Sequence, residues 1–438
     1  MYDFLEDPPS PENIAEWLEV LLGDDENGMA AEAAKQFGWY GDVAVPALRV
    51  AAADPRPEVR YYVARYGIGW MSPPGAAAQA LALELMSDPD EDVRTQATLS
   101  LSQAGPDVRR PFVLALRDLL EEGTRLGDRK RVDLALNAIG HAGPSAGPAA
   151  PAVVAYLRRA RLDRPGSQHY LAVSTLGCTR SCRQDDVAVL RDELADQPAS
   201  VIEAMAWYGT LAEPALKSMV ASLDNPDRRV HAAAAGALAR IRCDEHALGI
   251  LADLCDEEDS DGPGYSRPPF YALYELGKVR RLPGWLLRRL EPYAADPGYG
   301  VASHAKYFDP NPLLDSFGFD RDQRLATLAF LKGYGPLAAG VLPWLREWAG
   351  SADPWLQLGA IDALAHVAPG DEAVGALESL LGHERPEVRK MAILAVDEFE
   401  RPPGWAVDRL GPLGDDADAD VATAARFVRG EVAARGNA

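Results

Sequence analysis

A short phrase recurs along this chain and constrains its fold more than any other feature. It reads DPRPEVR from Asp54 and DPDEDVR from Asp88. Looser copies begin at Asp196, Asn225, Asp296, His383 and Asp416. An Asp or Asn with a Pro beside it is typical of a turn or helix N-cap followed by Pro in the first helical turn. Each copy therefore predicts the start of a helix.

An apolar stripe follows the phrase. The apolar residue that closes the phrase recurs four and eight positions later, so all three residues lie on one helical face. The clearest examples are Val93, Ala97 and Leu101; Val230, Ala234 and Leu238; Leu356, Ala360 and Leu364; and Val388, Ala392 and Val396. Because these side chains are partly small, they predict the close approach of a neighbouring helix.

A second helix is predicted in each copy. Several of these helices begin with Pro and an aliphatic residue two positions on, as at Pro46, Pro111, Pro151, Pro214 and Pro343. Two helices that share one apolar stripe cannot cover their own core, so the unit must stack on further copies of itself. The sequence therefore predicts an all-α fold, an α-solenoid (superhelix) of about eleven helical hairpins with capping helices.

The pattern DPxxxVRxxAxxxL with a Pro-led second helix resembles the HEAT repeat, in the short variety of phycobilisome-lyase (PBS lyase) HEAT-like proteins. The resemblance covers residues 26 to 414 and implies a ladder of Asp and Arg along the turns. It places the ladder arginines at Arg60, Arg94 and Arg389. The ladder is incomplete, because other residues hold the matching place at His231, Ala302 and Ala422.

The predicted organisation is a single HEAT-like solenoid over residues 1–438. Its parts are an N-terminal cap (1–25), repeats (26–295 and 320–414), an intervening segment (296–319) and a C-terminal capping helix (415–438). The intervening segment combines aromatic residues with Pro and Gly and shows no sustained helical period. It fits either a degenerate repeat or an extended loop that touches a partner.

Charge and composition limit the partners. The formal net charge of −22 makes association of the whole molecule with nucleic acid or an anionic membrane unfavourable, and it favours a partner of basic character. No apolar run is long enough for a membrane span. Four cysteines are too few for a disulfide framework. We therefore expect a cytoplasmic protein.

No motif predicts catalysis or a bound metal. An acidic loop at Glu257 starts like a calcium-binding loop, but Pro268 stands where that loop needs a bidentate Glu. One His-Glu dipeptide, at His383, falls short of the several that a HEAT-type di-iron hydroxylase needs. The spacing of the cysteines excludes a zinc site and favours buried or idle thiols at Cys178, Cys182, Cys243 and Cys255. We predict no enzyme activity, no cofactor and no metal.

A local basic region stands out from the acidic whole. Residues 101–165 hold eleven basic and seven acidic side chains. HEAT-like alkylpurine DNA glycosylases share the predicted architecture, so a nucleic-acid enzyme is an alternative, although such an enzyme needs basic charge along the whole groove. The candidate contacts to an anionic ligand are Arg117, Arg129, Arg131, Arg158 and Arg159.

Aromatic residues supply the other candidate contacts. Trp39 and Trp207 lie late in first helices, where we expect packing against the next repeat. The candidate anchors for a protein partner are Trp344 and Trp348 near an inter-repeat turn, and His304, Tyr307 and Phe308 in the intervening segment.

The function predicted from the sequence is that of a non-catalytic protein-binding scaffold or adaptor. It would use the concave face of the solenoid, which we assign to the second helices, together with residues 296–319. Besides the nucleic-acid enzyme, two alternatives stay open. One is a lyase-like accessory subunit of a modifying enzyme, and the other is an immunity-type inhibitor of a basic toxin or nuclease.

Overall fold

The fold is helical throughout the part of the chain that the computed structural model describes. The described residues are 9–23, 28–71, 74–102, 108–163, 167–196, 198–242, 244–256, 272, 275, 276, 279, 282–295, 332, 335–368, 372–399 and 401–436. They contain helices and connecting turns but no strand. The chain divides into two compact units, Met1–Tyr156 (unit 1) and Leu157–Ala438 (unit 2).

Unit 1 begins with α1 (Pro11–Leu22), whose N-terminus is capped by the Ser10 side chain. A series of helical hairpins follows α1. The hairpins are α2 (Ala30–Tyr40) with α3 (Val45–Ala51), α4 (Pro57–Tyr62) with α5 (Ala76–Leu85), α6 (Glu91–Ser102) with α7 (Arg110–Leu126), and α8 (Arg129–Ala142) with α9 (Ala150–Asp163). The even-numbered helices are the first helices of their repeats. A π-helical turn, Val63–Ile68, extends α4.

Unit 2 continues the pattern. Its hairpins are α10 (Ser167–Thr179) with α11 (Gln184–Glu193), α12 (Pro198–Met205) with α13 (Leu216–Ala221), and α14 (Arg228–Arg242) with α15 (Glu245–Cys255). The helices described after them are α16 (Gly284–Ala295), α17 (Leu342–Ala349), α18 (Pro354–Val367), α19 (Glu372–Leu380), α20 (Pro386–Glu398), α21 (Ala406–Leu413) and α22 (Ala419–Gly436). Here α10, α12, α14, α18, α20 and α22 occupy first-helix positions. The intervening segment 296–319 lies outside the described residues.

The core is built from the predicted apolar stripes. All twelve stripe positions are buried, and eight of them have no exposed surface. In α14 the buried stripe widens to the small residues Ala232–Ala235 and Gly236. The all-α solenoid prediction is confirmed in the described residues, because consecutive hairpins stack along these stripes.

The turns are tied together by arginines at the ladder positions. Arg60 donates to both carboxylate oxygens of Asp88 in the next turn, at 2.7 and 2.9 Å, and to the carbonyl of Asp54 in its own turn. Arg389 makes the same bonds to Asp416, at 2.9 and 2.8 Å. Although burial opposes ionisation, the bonds from Arg60 lower the pKa of the Asp88 carboxyl. Two turns far apart in the chain thus share one geometry.

First helices of unit 2 face one another across its interior. The Lys390 ammonium on α20 donates to the carbonyl of Thr179 at the end of α10, at 3.1 Å. Arg240 on α14 donates to Glu398 at the end of α20, at 2.8 Å. These partners lie 211 and 158 positions apart in the chain. The inner row of unit 2 is therefore made of first helices, and the assignment of the concave face to second helices is wrong for this unit.

Side-chain size explains which row lies inside. Helix axes approach more closely where the contacting side chains are small. The Ala and Gly run of α14 belongs to a first helix, whereas second helices such as α17 carry Leu and Trp at their contacts. A row of closely spaced helices lies on the inside of a curve. Within the described residues, no helix is both long enough and apolar enough to cross a membrane.

Candidate functional site

A chain of aromatic rings lies on the first helices of unit 1. Its members are Trp39, Tyr61, Tyr62, Tyr66 and Trp70, and we call this surface the aromatic face. Ring centroids are 6.1 Å apart from Trp39 to Trp70, from Trp70 to Tyr66 and from Tyr66 to Tyr62. The last step, from Tyr62 to Tyr61, is 6.0 Å. Most of these pairs meet edge to face, an arrangement that aromatic side chains favour.

The aromatic face is open to solvent. Trp70 is 46% exposed and Trp39 is 37% exposed, while the three tyrosines are half-buried. Trp39 does contact Trp70 of the next repeat, as the sequence predicts, but its ring stays partly uncovered. Leu99 on α6 is a further exposed apolar residue of unit 1. Contiguous exposed apolar surface of this kind marks interaction sites.

Two local features hold the aromatic face in place. A Cβ atom on Gly38 would lie 2.6 Å from the Cβ of Trp70 and 2.7 Å from the Tyr66 carbonyl oxygen, so only glycine permits this close approach. The π-helical turn Val63–Ile68 adds a residue to the helical turn, and such turns are frequent at functional sites. Sequence reasoning missed this surface, although the string YYVARYGIGW from Tyr61 carried its signal.

Two cations sit against the rings. The Lys35 ammonium lies 5.4 Å from the centroid of Tyr66 and 5.3 Å from that of Trp70, and it pairs with Glu32. The Arg65 guanidinium lies 5.7 Å from the ring of Tyr61 and 5.2 Å from that of Tyr66. Such contacts are attractive because the ring face is electron-rich. The aromatic face is thus apolar at its centre and positive where Arg65 is exposed.

In unit 2 the corresponding side of the first helices is filled by the protein itself. Trp207 lies between the guanidinium groups of Arg180 and Arg240, at 3.4 and 4.4 Å from its centroid. Arg240 donates to Glu398 at 2.8 and 3.0 Å and to Asp397 at 3.2 Å. We call these five residues the inner network.

Further pairs close the same interior. Lys390 bonds Asp420 at 2.8 Å, and Arg435 bonds Asp397 at 2.7 Å. The backbone amide of Thr210 donates to Glu431 at 3.1 Å. Oppositely charged groups face each other throughout, as buried charges require. Such paired charges are typical of contacts that stabilise the fold.

Burial and charge set the protonation of the interior. Burial alone would raise the pKa of Glu398, but Arg240, Lys332 and Arg180 lower it well below its usual value. Burial and the charge of Lys332 lower the pKa of His366. Glu398 is therefore charged and His366 neutral at pH 7. The Nε2 atom of His366 and the Oδ1 atom of Asp362 have no hydrogen-bond partner within the described part of the chain.

The predicted basic contacts fall in both units. In unit 1, Arg117 pairs with Asp118 at 2.7 Å, and Arg131 pairs with Glu122 and Asp128 at 3.3 and 3.2 Å. Arg129 is exposed in the same unit. In unit 2, Arg158 and Arg159 are exposed on α9. Acidic neighbours thus offset part of the local basic excess.

The predicted aromatic anchors lie elsewhere. On α17, Trp344 is half-buried and Trp348 is buried. His304, Tyr307 and Phe308 lie outside the described residues, as do Cys243 and most of the acidic loop at Glu257. Trp344 and Trp348 belong to unit 2, whereas the aromatic face belongs to unit 1.

The described cysteines include two buried, protonated thiols. Burial raises the pKa of the Cys182 and Cys255 thiols to about 12, so both thiols are protonated at pH 7, as the prediction of buried or idle thiols requires. Cys178, Cys182 and Cys255 are free. No group of His, Cys, Asp and Glu side chains in the described ranges is arranged to hold a metal ion.

Comparisons with solved structures return other helical proteins at low similarity. Kap121p bound to Ste12p is 13% identical, with a TM-score of 0.31 over 96% of this chain and 45% of that one. A structure of the cadherin and beta-catenin interaction is 15% identical, with a TM-score of 0.33 over 95% and 100% of the two chains. An engineered protein is 19% identical, with a TM-score of 0.25 over 96% and 99%. The chain spans less than half the length of Kap121p.

Comparison with protein families is more informative. No curated protein matches the chain. The HEAT-repeat family matches at residues 14–102 and 342–428, one segment in each unit. The phycobilisome-lyase variety within that family stays a prediction. Stacked hairpins, three of the four buried stripes and the Arg–Asp turns lie in the matched segments, and these two segments are built of HEAT repeats.

Proposed function

We propose that this chain is a non-catalytic protein-binding scaffold that holds a partner protein on the aromatic face of unit 1. The observation that carries the proposal is the solvent-exposed chain of five aromatic rings with two cations against it. Trp, Tyr and Arg are the residues that most often dominate the energy of protein interfaces.

The contrast with unit 2 supports this choice of surface. There the first-helix side is occupied by the inner network and its neighbouring pairs, so its charges are already compensated. In unit 1 the exposed rings of Trp39 and Trp70 would gain most from being covered. Burying apolar surface stabilises a complex by about 25 cal/mol per Å² before the cost of association.

Net charge adds a second element to the proposal. The charge of −22 favours a partner with a basic surface over the acidic remainder of the molecule. Arg158 and Arg159, which are both exposed on α9, would supply a separate contact to an anionic group. No cofactor takes part in this function.

Capture from lysate tests the proposal. The full chain and its Trp70→Ala variant are immobilised, and the proteins retained by each are quantified. We expect at least one protein to be retained by the native chain and lost with Trp70→Ala, because truncation of a central interface Trp typically costs about 2 kcal/mol or more. Captured proteins with a prosthetic group would favour the accessory role, and a toxin or nuclease would favour the inhibitory one.

Leu126→Ala is the matched control. Leu126 is an exposed apolar residue on α7 of unit 1 that lies outside the aromatic face, so its removal should leave capture unchanged. If the Trp70 and Leu126 variants retain the same proteins as the native chain, the aromatic face is not the binding surface.

A further inference from the structure

The inner network of unit 2 shows which chemistry completes an aromatic–guanidinium surface in this protein. The Trp207 ring is covered by the guanidinium of Arg240, and that guanidinium is held by the carboxylates of Asp397 and Glu398. The carboxylates come from the opposing helix α20. From the ring outward, the three groups therefore follow in the order aromatic ring, guanidinium and carboxylate.

The segment that supplies these carboxylates is otherwise apolar. It reads MAILAVDEF from Met391 to Phe399, and Val396 and Phe399 beside the two acids are buried. The acids and their apolar neighbours enter the interior of unit 2 together. A ring–guanidinium surface is thus matched by a segment with few carboxylates among apolar side chains.

Unit 1 contains the first two of these three groups, an aromatic ring and a guanidinium. The Arg65 guanidinium lies over the rings of Tyr61 and Tyr66 and donates to the Tyr61 hydroxyl. Among the described residues it contacts no carboxylate, whereas Arg240 is held by two. A guanidinium carries five N–H donors in a planar fork that suits a carboxylate. The third group, a carboxylate, is absent beside Arg65 within the described residues, and an acid on a partner would supply it.

We propose that the partner reaches the aromatic face with an acidic, apolar segment, whose carboxylate pairs with Arg65 and whose apolar side chains cover Trp70 and Trp39. This inference rests on the proposed function and names the chemistry of the partner at that surface. It differs from the expectation of a basic partner, which follows from the charge of the whole molecule.

Screening by salt allows an acidic segment to bind at the aromatic face although the net charge of the whole chain is −22. At physiological ionic strength the interaction between exposed charges is largely lost beyond about 8 Å, so the acidic remainder of the chain has little effect at the aromatic face. Locally, Lys35 is paired with Glu32, and Arg65 has no carboxylate partner among the residues that the structure describes. One positive charge among rings suits a segment with one or two acids and disfavours a polyanion, which gains from many basic contacts.

Peptide binding to the full chain tests the inference. The probe is the fluorescently labelled peptide MAILAVDEF between Gly-Ser flanks, and fluorescence anisotropy reports its binding. Two matched peptides carry Asn and Gln, or two Lys, in place of the two acids. We expect the acidic peptide to bind, and the amide and Lys peptides to bind about tenfold more weakly or not at all, because a bond to a charged group is lost.

Variants assign the binding to the aromatic face. Arg65→Gln should weaken binding of the acidic peptide about tenfold and bring it to the level of the amide peptide. Trp70→Ala should abolish binding of all three peptides, and Leu126→Ala should change nothing. Equal binding of the acidic and amide peptides, or preference for the Lys peptide, would overturn the inference.

The two proposals fail separately. If capture from lysate depends on Trp70 but the acidic peptide does not bind, the scaffold function stands and the acidic partner segment is wrong. If the native chain forms a dimer in sedimentation that Trp70→Ala dissociates, a second copy occupies the face and the inference is also wrong. If neither capture nor peptide binding depends on Trp70, both proposals fail.

Discussion

The first helices of the two units carry similar residues in opposite situations. In unit 1, Trp39, Trp70 and Arg65 are exposed. In unit 2, the Trp207 ring lies between two guanidinium groups, and that of Arg240 is held by carboxylates from a helix far along the chain. Both units follow the same hairpin pattern. The comparison teaches that a repeat fold can satisfy one first-helix surface internally and leave the other for a partner.

The difference also separates stability from binding. The inner network holds together residues that the backbone alone would leave apart, since its members are 157 and 158 positions apart. The aromatic face contributes less to the core, because its largest rings are partly exposed. Changes to the inner network should therefore reduce stability, and changes to exposed residues of the aromatic face should reduce binding.

Replacement of Arg240 should have the largest effect. Arg240→Met removes the cation that bonds Glu398 and one of the cations that bond Asp397, and removing one partner of a buried ion pair typically costs about 3–5 kcal/mol. Denaturant unfolding measures the loss. Arg49→Ala is the control, because Arg49 pairs with Glu84 at the surface, where an ion pair contributes about 0–1 kcal/mol. Equal losses of unfolding free energy in the two variants would show that the inner network does not stabilise the fold.

Gly38→Ala tests whether the aromatic face is built as described. The added methyl group would lie 2.6 Å from Trp70 Cβ, so Trp70 and the Tyr66 backbone must move. Such overpacking typically costs about 1–3 kcal/mol. We expect lower stability in denaturant and a shifted Trp fluorescence spectrum. The control is Gly249→Ala on α15, where a Cβ atom meets nothing within 4 Å. A Gly38 variant as stable as the control would contradict the close packing.

Acidification should loosen unit 2 through a smaller effect. Because the pKa of His366 is lowered on folding, the folded state binds its proton less readily than the unfolded state. Stability is therefore complete above about pH 6.5 and declines as pH falls below it, and the lowered pKa of Glu398 extends the decline to more acidic pH. Hydrogen exchange of α18 and α20 from about pH 8 to about pH 3, corrected for the intrinsic pH dependence of exchange, measures this decline.

His366→Asn separates the two titrations. Without the imidazole, the part of the decline that starts near neutrality should disappear, and the part due to carboxylates at lower pH should remain. Helix α6 serves as the internal reference for exchange, because it belongs to unit 1 and His366 belongs to unit 2. An unchanged pH profile in the variant would show that His366 does not couple pH to the stability of unit 2.

The sequence predicted the features that depend on local spacing. Periodicity identified the buried stripes, and the resemblance to HEAT repeats implied ladder arginines at Arg60 and Arg389, whose bonds to Asp88 and Asp416 the structure shows. Both signals arise within one or two repeats. Spacing in the sequence is enough to place such residues, because a helix and the turn before it fix their relative positions.

Contacts between residues far apart in the chain could not be predicted from local spacing. Arg240 and Glu398 are separated by 158 positions, and nothing in the local pattern of either residue points to the other. The assignment of the second helices to the inner row was also wrong for unit 2. Periodicity identifies which face of a helix is buried, but it does not show which of the two rows of helices is more closely spaced. The run of small residues at Ala232–Ala235 contained that information. The aromatic face was missed because exposure of Tyr66 and Trp70 depends on the π-helical turn.

The turn arginines have a consequence for cutting the protein into fragments. Arg60 completes a turn that belongs to the following repeat, so a fragment ending between Arg60 and Asp88 would strand a guanidinium, and one starting there would strand a carboxylate. Arg94 instead bonds the carbonyls of Asp88 and Pro89 in its own turn. Excision boundaries placed after Arg94, and away from the Arg389 and Asp416 pair, would divide the polypeptide without opening such a link.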